Sequence, residues 1–258
     1  MTQTNKKFFI QIVATLVAAV ACGVSGPTFA EPVTKEQMQE LLADPGRSDS
    51  DKARDAARKP AEVVAFMQIE PGMTVMDVMA AGGWYTEVLS LAVGADGTVY
   101  AQNPAFMLEF RDGFNDKALA ARLADDRLAN VERIDATVAA SGVADGSVDV
   151  VFSALNFHDT YYMAGEDAAA ALLQSIKTKL KPDGVLVLID HNGDPELDNA
   201  KLHRIPKDIV LRMAADAGYV LEAEGDMLSH PADDGSAMVF MKDIRGKTDR
   251  FVLLLRRG

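Results

Sequence analysis

Cysteine is nearly missing from this chain. Its 258 residues hold one, Cys22, inside the apolar N-terminal segment. With that segment set aside, no disulfide, thiol nucleophile or thiolate metal site can be built. Positive charge is also short: 38 Asp and Glu face 26 Lys and Arg, a formal net charge of −12. Such an acidic surface argues against nucleic acid or an anionic membrane as the main partner. A long hydrophobic run is lacking as well. The apolar stretch from Phe8 to Cys22 falls short of the roughly 20 residues that a membrane span needs, and Pro27 follows it closely. No internal repeat, low-complexity segment or H-E-x-x-H metal motif occurs, and there are only 4 histidines.

The N-terminus "KKFFIQIVATLVAAVACGVSGPTFA" has a basic start, an apolar centre and a small-residue end. That pattern predicts a secretory signal peptide over residues 1–30, cleaved after Ala30, and an exported, periplasmic protein with no stable membrane span. The alternative is a lipoprotein cleaved before Cys22 and anchored through it. The missing aliphatic residue three positions before Cys22, and the site "TFA", favour cleavage after Ala30. With 48% hydrophobic residues the chain can bury a sizeable core, so residues 31–258 are expected to form one domain. A helical extension occupies about residues 31–70 of it.

Thr34 opens "TKEQMQELLA" with Gln37 placed for a capping box, and Pro60 suits the first turn of a helix carrying Val63, Val64 and Phe66. After the turn "EPGMT", strand-like and helix-like segments alternate. These are "TVMDVMA", "YTEVLSLAV", "DGTVYAQN", a helical region within 106–129, "NVERIDA", "SVDVVFSALNF", "EDAAAALLQSIKTKL", the turn "KPDG" and the buried-type strand "VLVLID". That alternation predicts an α/β fold, a mostly parallel sheet with helices on both faces. The tail breaks the rhythm: "YVLEAEGDML" and "RFVLLLRR" are two strands with no helix between them, predicting an antiparallel pair at one sheet edge.

The order of "VMDVMAAGGWYTEVL", "NFHD", "LKPDGVLVLIDH" and "IRGKTDRFVLLLRR" resembles the class I S-adenosylmethionine-dependent methyltransferases, in particular an exported predicted-methyltransferase subgroup. The resemblance covers most of residues 55–257. It implies a Rossmann-like seven-stranded sheet with an antiparallel edge strand, and S-adenosyl-L-methionine as cofactor across the carboxyl ends of the first strands. Residue by residue, it implies cofactor contacts at Asp77, Ala81, Gly82, Gly83, Tyr85 and Asn103, and adenine contacts at Asp135 and Ala136. The family's loop reads acid-x-Gly-x-Gly-x-Gly. Met79 and Ala81 stand here in place of the first two glycines, and Asn103 or Gln102 in place of the carboxylate that holds the ribose.

His158 and His191 sit just past the ends of two strands that a parallel sheet brings to the same edge as the glycine turn. A histidine near its ordinary pKa can accept a proton from an attacking nucleophile. His158, Asp159, His191 and His203 are therefore the candidate catalytic residues. Asp159 orients His158, binds substrate or caps a helix; His203 with Arg204 closes the site or forms a salt-bridged loop. Asp159, Asp190, His191, Asn192 and Asp194 offer metal ligands near one edge, but with no compact motif no metal site is assigned. Trp84, Tyr85, Tyr161 and Tyr162 line a pocket or pack. The loop with His230, Asp233 and Asp234 reads as a solvated connection, and Arg245 and Asp249 as supports of the last hairpin.

The function expected is an enzyme, an S-adenosylmethionine-dependent methyltransferase acting on a small molecule, without nucleic acid or membrane partners. The alternatives are an exported non-catalytic binding protein on the same fold, or a metal-assisted enzyme using the histidine-rich edge. The sequence does not fix the oligomeric state.

Overall fold

Residues two apart along each strand share a face, and this periodicity builds two apolar layers. The computed structural model describes residues 31–258 together with Met1; the signal peptide, its cleavage site and Cys22 lie outside the described residues. Seven strands form one sheet: β1 (Thr74–Val78), β2 (Thr98–Gln102), β3 (Val131–Ile134), β4 (Val148–Ala154), β5 (Leu180–His191), β6 (Tyr219–Gly225) and β7 (Arg250–Arg257). Their order is β3-β2-β1-β4-β5-β7-β6. Strands β1 to β5 run parallel. The antiparallel element expected near the edge is β7, which lies between β5 and the outermost β6.

Among the described residues ten α-helices accompany the strands, four of them before β1. They are α1 (Lys35–Leu42), α2 (Asp49–Lys52), α3 (Asp55–Arg58), α4 (Pro60–Met67), α5 (Trp84–Val93), α6 (Ala105–Leu123), α7 (Phe157–Asp159), α8 (Glu166–Lys179), α9 (Asn199–Leu202) and α10 (Lys207–Asp216). Val75, Val150, Phe152, Val187 and Val252 pack with α1, α4 and α5. Their neighbours Met76, Val151, Leu186, Leu188 and Leu253 pack with α8 and α10 on the opposite face. The helical region expected within 106–129 ends at Leu123 and breaks at Phe110–Gly113, where Arg111, Asp112 and Gly113 have positive φ. "KPDG" is not a separate turn but part of β5, whose pairing with β4 shifts register between Val148 and Val150.

Thr34 and Gln37 form the expected capping box, and Pro60 begins α4. The N-terminal helices also reach the β1–α5 turn. Trp84 Nε1 donates to the Asp51 carbonyl at 3.1 Å. Arg122 of α6 pairs with Asp51 at 2.9 Å and with the buried Glu87 of α5, which Arg127 also holds at 2.6 Å. One ionic knot thus ties α2, α5 and α6 around the carboxyl ends of β1 and β2. Among the described residues no helix is long and apolar enough to cross a membrane.

Candidate functional site

The turn after β1 takes a left-handed backbone at Met79 (φ 52°), Ala81 (φ 50°) and Gly83 (φ 78°). An L-residue pays about 1–2 kcal/mol for that conformation, so the two non-glycine positions need bracing. The end of β2 supplies it. Gln102 Oε1 accepts from Met79 N at 3.2 Å, while Asn103 Oδ1 accepts from Ala81 N at 2.8 Å and Asn103 Nδ2 donates to the Ala81 carbonyl at 3.2 Å. Asn103 is fully buried, so its amide holds the loop and both ends are taken. Gly82 and Gly83 are needed for a different reason. A Cβ there would stand 2.9 Å from Ala118 and 2.8 Å from Leu119, because α6 lies against the turn.

Asp77, at the end of β1, is buried and accepts from Thr86 Oγ1 at 2.7 Å. Burial pushes its carboxyl up to about 7, against the opposing pull of Thr86 and the Arg58 guanidinium. Two cavities adjoin this turn. The larger, about 550 Å³, is bordered by Asp77, Ala81, Gly82, Tyr85, His158 and Asp159. The smaller, about 300 Å³ and mostly apolar, is bordered by Met79, Gln102, Pro104, Val138 and Leu172. Met79 borders both. Neither cavity is lined by Asp135 or Ala136: Asp135 is half-exposed and pairs with Arg133 at 2.8 Å, and the Ala136 carbonyl accepts from Gln102 Nε2. Thr137, Val138 and Ala139, just beyond them, line the smaller cavity.

The histidines do converge. The fully buried Asp190 accepts from His158 Nδ1 at 2.7 Å, from His158 N at 2.9 Å and from His191 N at 2.8 Å. On the other side of the His158 ring, Asp159 Oδ1 lies 3.2 Å from Nε2, and 3.0 Å from His203 Nδ1. Burial alone would depress His158, but Asp190 and Asp159 together outweigh it and push the imidazole up to about 10. His191 goes the other way. Burial takes it down to about 3, with Asp190 too weak an offset, and its Nδ1 lies 2.8 Å from Thr248 Oγ1. The expectation of histidines near their ordinary pKa is therefore corrected: His158 is a cation at neutral pH with no lone pair to offer, and His191 is neutral.

Other sequence expectations divide. Asn192 pairs with Asp249 at 3.1 Å and Asp194 caps Glu196 N at 2.9 Å, so neither joins the histidines. Tyr85 packs edge-on against Trp84 and Phe152, and Tyr161 and Tyr162 meet edge to face in the same way. The loop with His230, Asp233 and Asp234 is mostly exposed, as expected, but Asp233 makes a buried two-pronged pair with Arg204 at 2.8 and 3.0 Å.

The sequence reading missed a cluster of arginines. Arg54, Arg58, Arg245 and Arg250 surround a cavity of about 350 Å³ with His191 and Thr248, continuous in its lining with the larger one. Arg58 lies 4.7 Å from the Trp84 ring centre and 5.5 Å from that of Tyr85. Arg250 donates to the carbonyls of Ala57 at 2.7 Å and Thr248 at 3.3 Å. Among the described residues neither forms a salt bridge. Burial lowers both, for Arg58 with repulsion from Arg250 and Arg245 added, and burial takes Arg54 down to about 10. The available signal was the spacing of Arg54 and Arg58 in "RDAAR" and of Arg245 and Arg250 in "RGKTDR".

Residues 77–188 match the family described as "Methyltransferase domain". No curated protein matches the chain. Among solved structures, a SAM-dependent methyltransferase from Aquifex aeolicus is 21% identical, with 87% of this chain and 98% of that one covered at a TM-score of 0.58. An arsenic(III) S-adenosylmethionine methyltransferase from Chlamydomonas reinhardtii is 18% identical over 85% of this chain and 72% of its own, at 0.52. The cyclase SpnF is 14% identical over 89% and 97%, at 0.54. The chain has the class I methyltransferase fold, and this fold together with the match over residues 77–188 indicates S-adenosylmethionine as the cofactor.

Proposed function

We propose that the protein transfers a methyl group from S-adenosylmethionine to a small anionic molecule. The observation that carries the substrate's charge is the arginine-lined cavity, in which Arg250 is buried and, among the described residues, forms no salt bridge. On a chain of net charge −12, such a cluster is a selective place for a carboxylate or phosphate.

The residues present fit the cofactor. Asp77 can hold its ammonium group and Arg58 its carboxylate, while the apolar cavity bordered by Val138 and Leu172 suits a planar base. Bound there, the cofactor would supply an electrophilic methyl group with sulfur as its leaving group. The chain's own task is alignment. His191 borders both the larger and the arginine-lined cavities and is the neutral group placed to orient the nucleophile. His158, locked between Asp190 and Asp159, holds the β4 and β5 ends together rather than taking a proton.

One observation favours a second reading, a binding protein without turnover. The β2 end offers no free carboxylate for the ribose, because Asn103 is committed to Ala81. The two readings separate by methyl transfer from labelled cofactor to a panel of small carboxylates and phosphates. Arg245→Met, an exposed member of the cluster, is expected to raise KM for an anionic acceptor at least tenfold while cofactor affinity stays unchanged. Incorporation into neutral acceptors only would remove the anion assignment. Export to the periplasm, as in the predicted-methyltransferase subgroup, belongs to the same proposal and rests on the N-terminal pattern. The mass of the mature N-terminus tests it.

A further inference from the structure

We propose that His158, Asp159 and His203 form a site for one divalent transition metal of the zinc type, at the rim of the larger cavity. One ligand atom from each of the three lies within 4.8 Å of the others. The finer spacing is more telling. Two ligands each about 2.1 Å from a metal, at tetrahedral or octahedral angles, stand about 3.0–3.4 Å apart. Asp159 Oδ1 lies 3.2 Å from His158 Nε2 and 3.0 Å from His203 Nδ1, which matches that spacing for the carboxylate with each imidazole, and the third pair falls within 4.8 Å.

A second observation is independent of that spacing. His158 Nε2 is buried, and although Asp159 Oδ1 stands 3.2 Å away the contact lacks hydrogen-bond geometry, an expensive state for a buried ring nitrogen. Its other nitrogen is fixed by the fully buried Asp190 at 2.7 Å. A carboxylate on the far side of a metal-binding imidazole sets the ring's orientation and raises its basicity, which is the arrangement seen here. Metal binding would displace the His158 proton, as it does wherever imidazole becomes a ligand. Asp159 and His203 are partly exposed, at 37% and 31%, leaving access from solvent. Two imidazoles and one carboxylate suit Zn²⁺ or Fe²⁺ better than Mg²⁺ or Ca²⁺, and leave coordination positions open.

This site shares only Asp159 with the metal ligands the sequence suggested, since Asn192 and Asp194 are engaged elsewhere and Asp190 supports rather than binds. It does not depend on methyl transfer. The full chain, stripped with a chelator and dialysed, is titrated with Co²⁺ and read by visible d–d absorption, then back-titrated with Zn²⁺. One equivalent of Co²⁺, displaced by Zn²⁺, is expected. His203→Ala, at a partly exposed position, should bind at least tenfold more weakly, and Asp190→Asn about 10–100-fold more weakly. Circular dichroism checks that each variant is folded. No d–d band at millimolar Co²⁺, or unchanged affinity in folded His203→Ala, overturns the site. Cofactor titration of the same stripped sample judges the methyltransferase reading separately.

Discussion

Asp77 and His191 are both buried within the site, and burial moves them in opposite senses. Asp77 is raised from the usual carboxylate range to about 7. Between about pH 4 and 7 the folded chain therefore holds this proton more tightly than the unfolded one, and stability contributed here falls as pH rises. His191 is lowered to about 3. Between about pH 3 and 6.5 the unfolded chain binds the extra proton, so stability contributed here rises with pH. Urea unfolding from pH 4 to 8 should show the two effects separately. Relative to the parent, Asp77→Asn makes stability increase more steeply with pH, and His191→Gln makes it increase less. Asp77 also links pH to binding. An ionised Asp77 attracts the cofactor's ammonium group, so calorimetric affinity for S-adenosylmethionine should strengthen from pH 6 to pH 8. Asp77→Asn should remove that slope and weaken binding about 10–100-fold, the worth of a hydrogen bond to charge. Asp77 was legible from its place at the end of an apolar strand; its protonation state was not, because it depends on how far packing buries the carboxyl, against the opposing pull of Thr86 and Arg58 from other elements.

At the scale of elements, the β1–α5 turn keeps its shape through β2 rather than through its own glycines. Ala81 sits at φ 50°, and glycine relieves that strain at the cost of a more flexible unfolded chain. Ala81→Gly is expected to stabilise the fold by about 0.5–1 kcal/mol, read as a rise in the urea midpoint at constant m. Asn103→Ala leaves the Ala81 N–H and carbonyl without partners and should cost about 1–3 kcal/mol. The sequence showed that Met79 and Ala81 depart from the glycine pattern. It did not show that Asn103 compensates, since an amide 22 residues away reaches Ala81 only once β1 and β2 pair in register. The arginines of α3 were illegible for a related reason. A charged, helix-forming run reads as a solvated face until Trp84 and Tyr85 are seen beneath it.

On the scale of the molecule, strand and helix alternation was enough to anticipate a mostly parallel sheet covered on both faces, because period-two burial and crossover helices leave few other arrangements. The role of residues 31–70 was not visible: they join the site wall through Asp51, Arg54 and Arg58. Glu87 carries that attachment, buried between Arg122 and Arg127. Glu87→Ala leaves Arg127 without its carboxylate and Arg122 with Asp51 alone, and should destabilise by about 3 kcal/mol, measured by chemical denaturation. The central claim is that this fold, despite Met79 and Ala81, still binds the cofactor at the β1 end. Calorimetric titration of the purified protein with S-adenosylmethionine and S-adenosylhomocysteine tests it most directly. One saturable site for each ligand, weakened in Arg58→Met, is the predicted result; no heat of binding at millimolar ligand would contradict it.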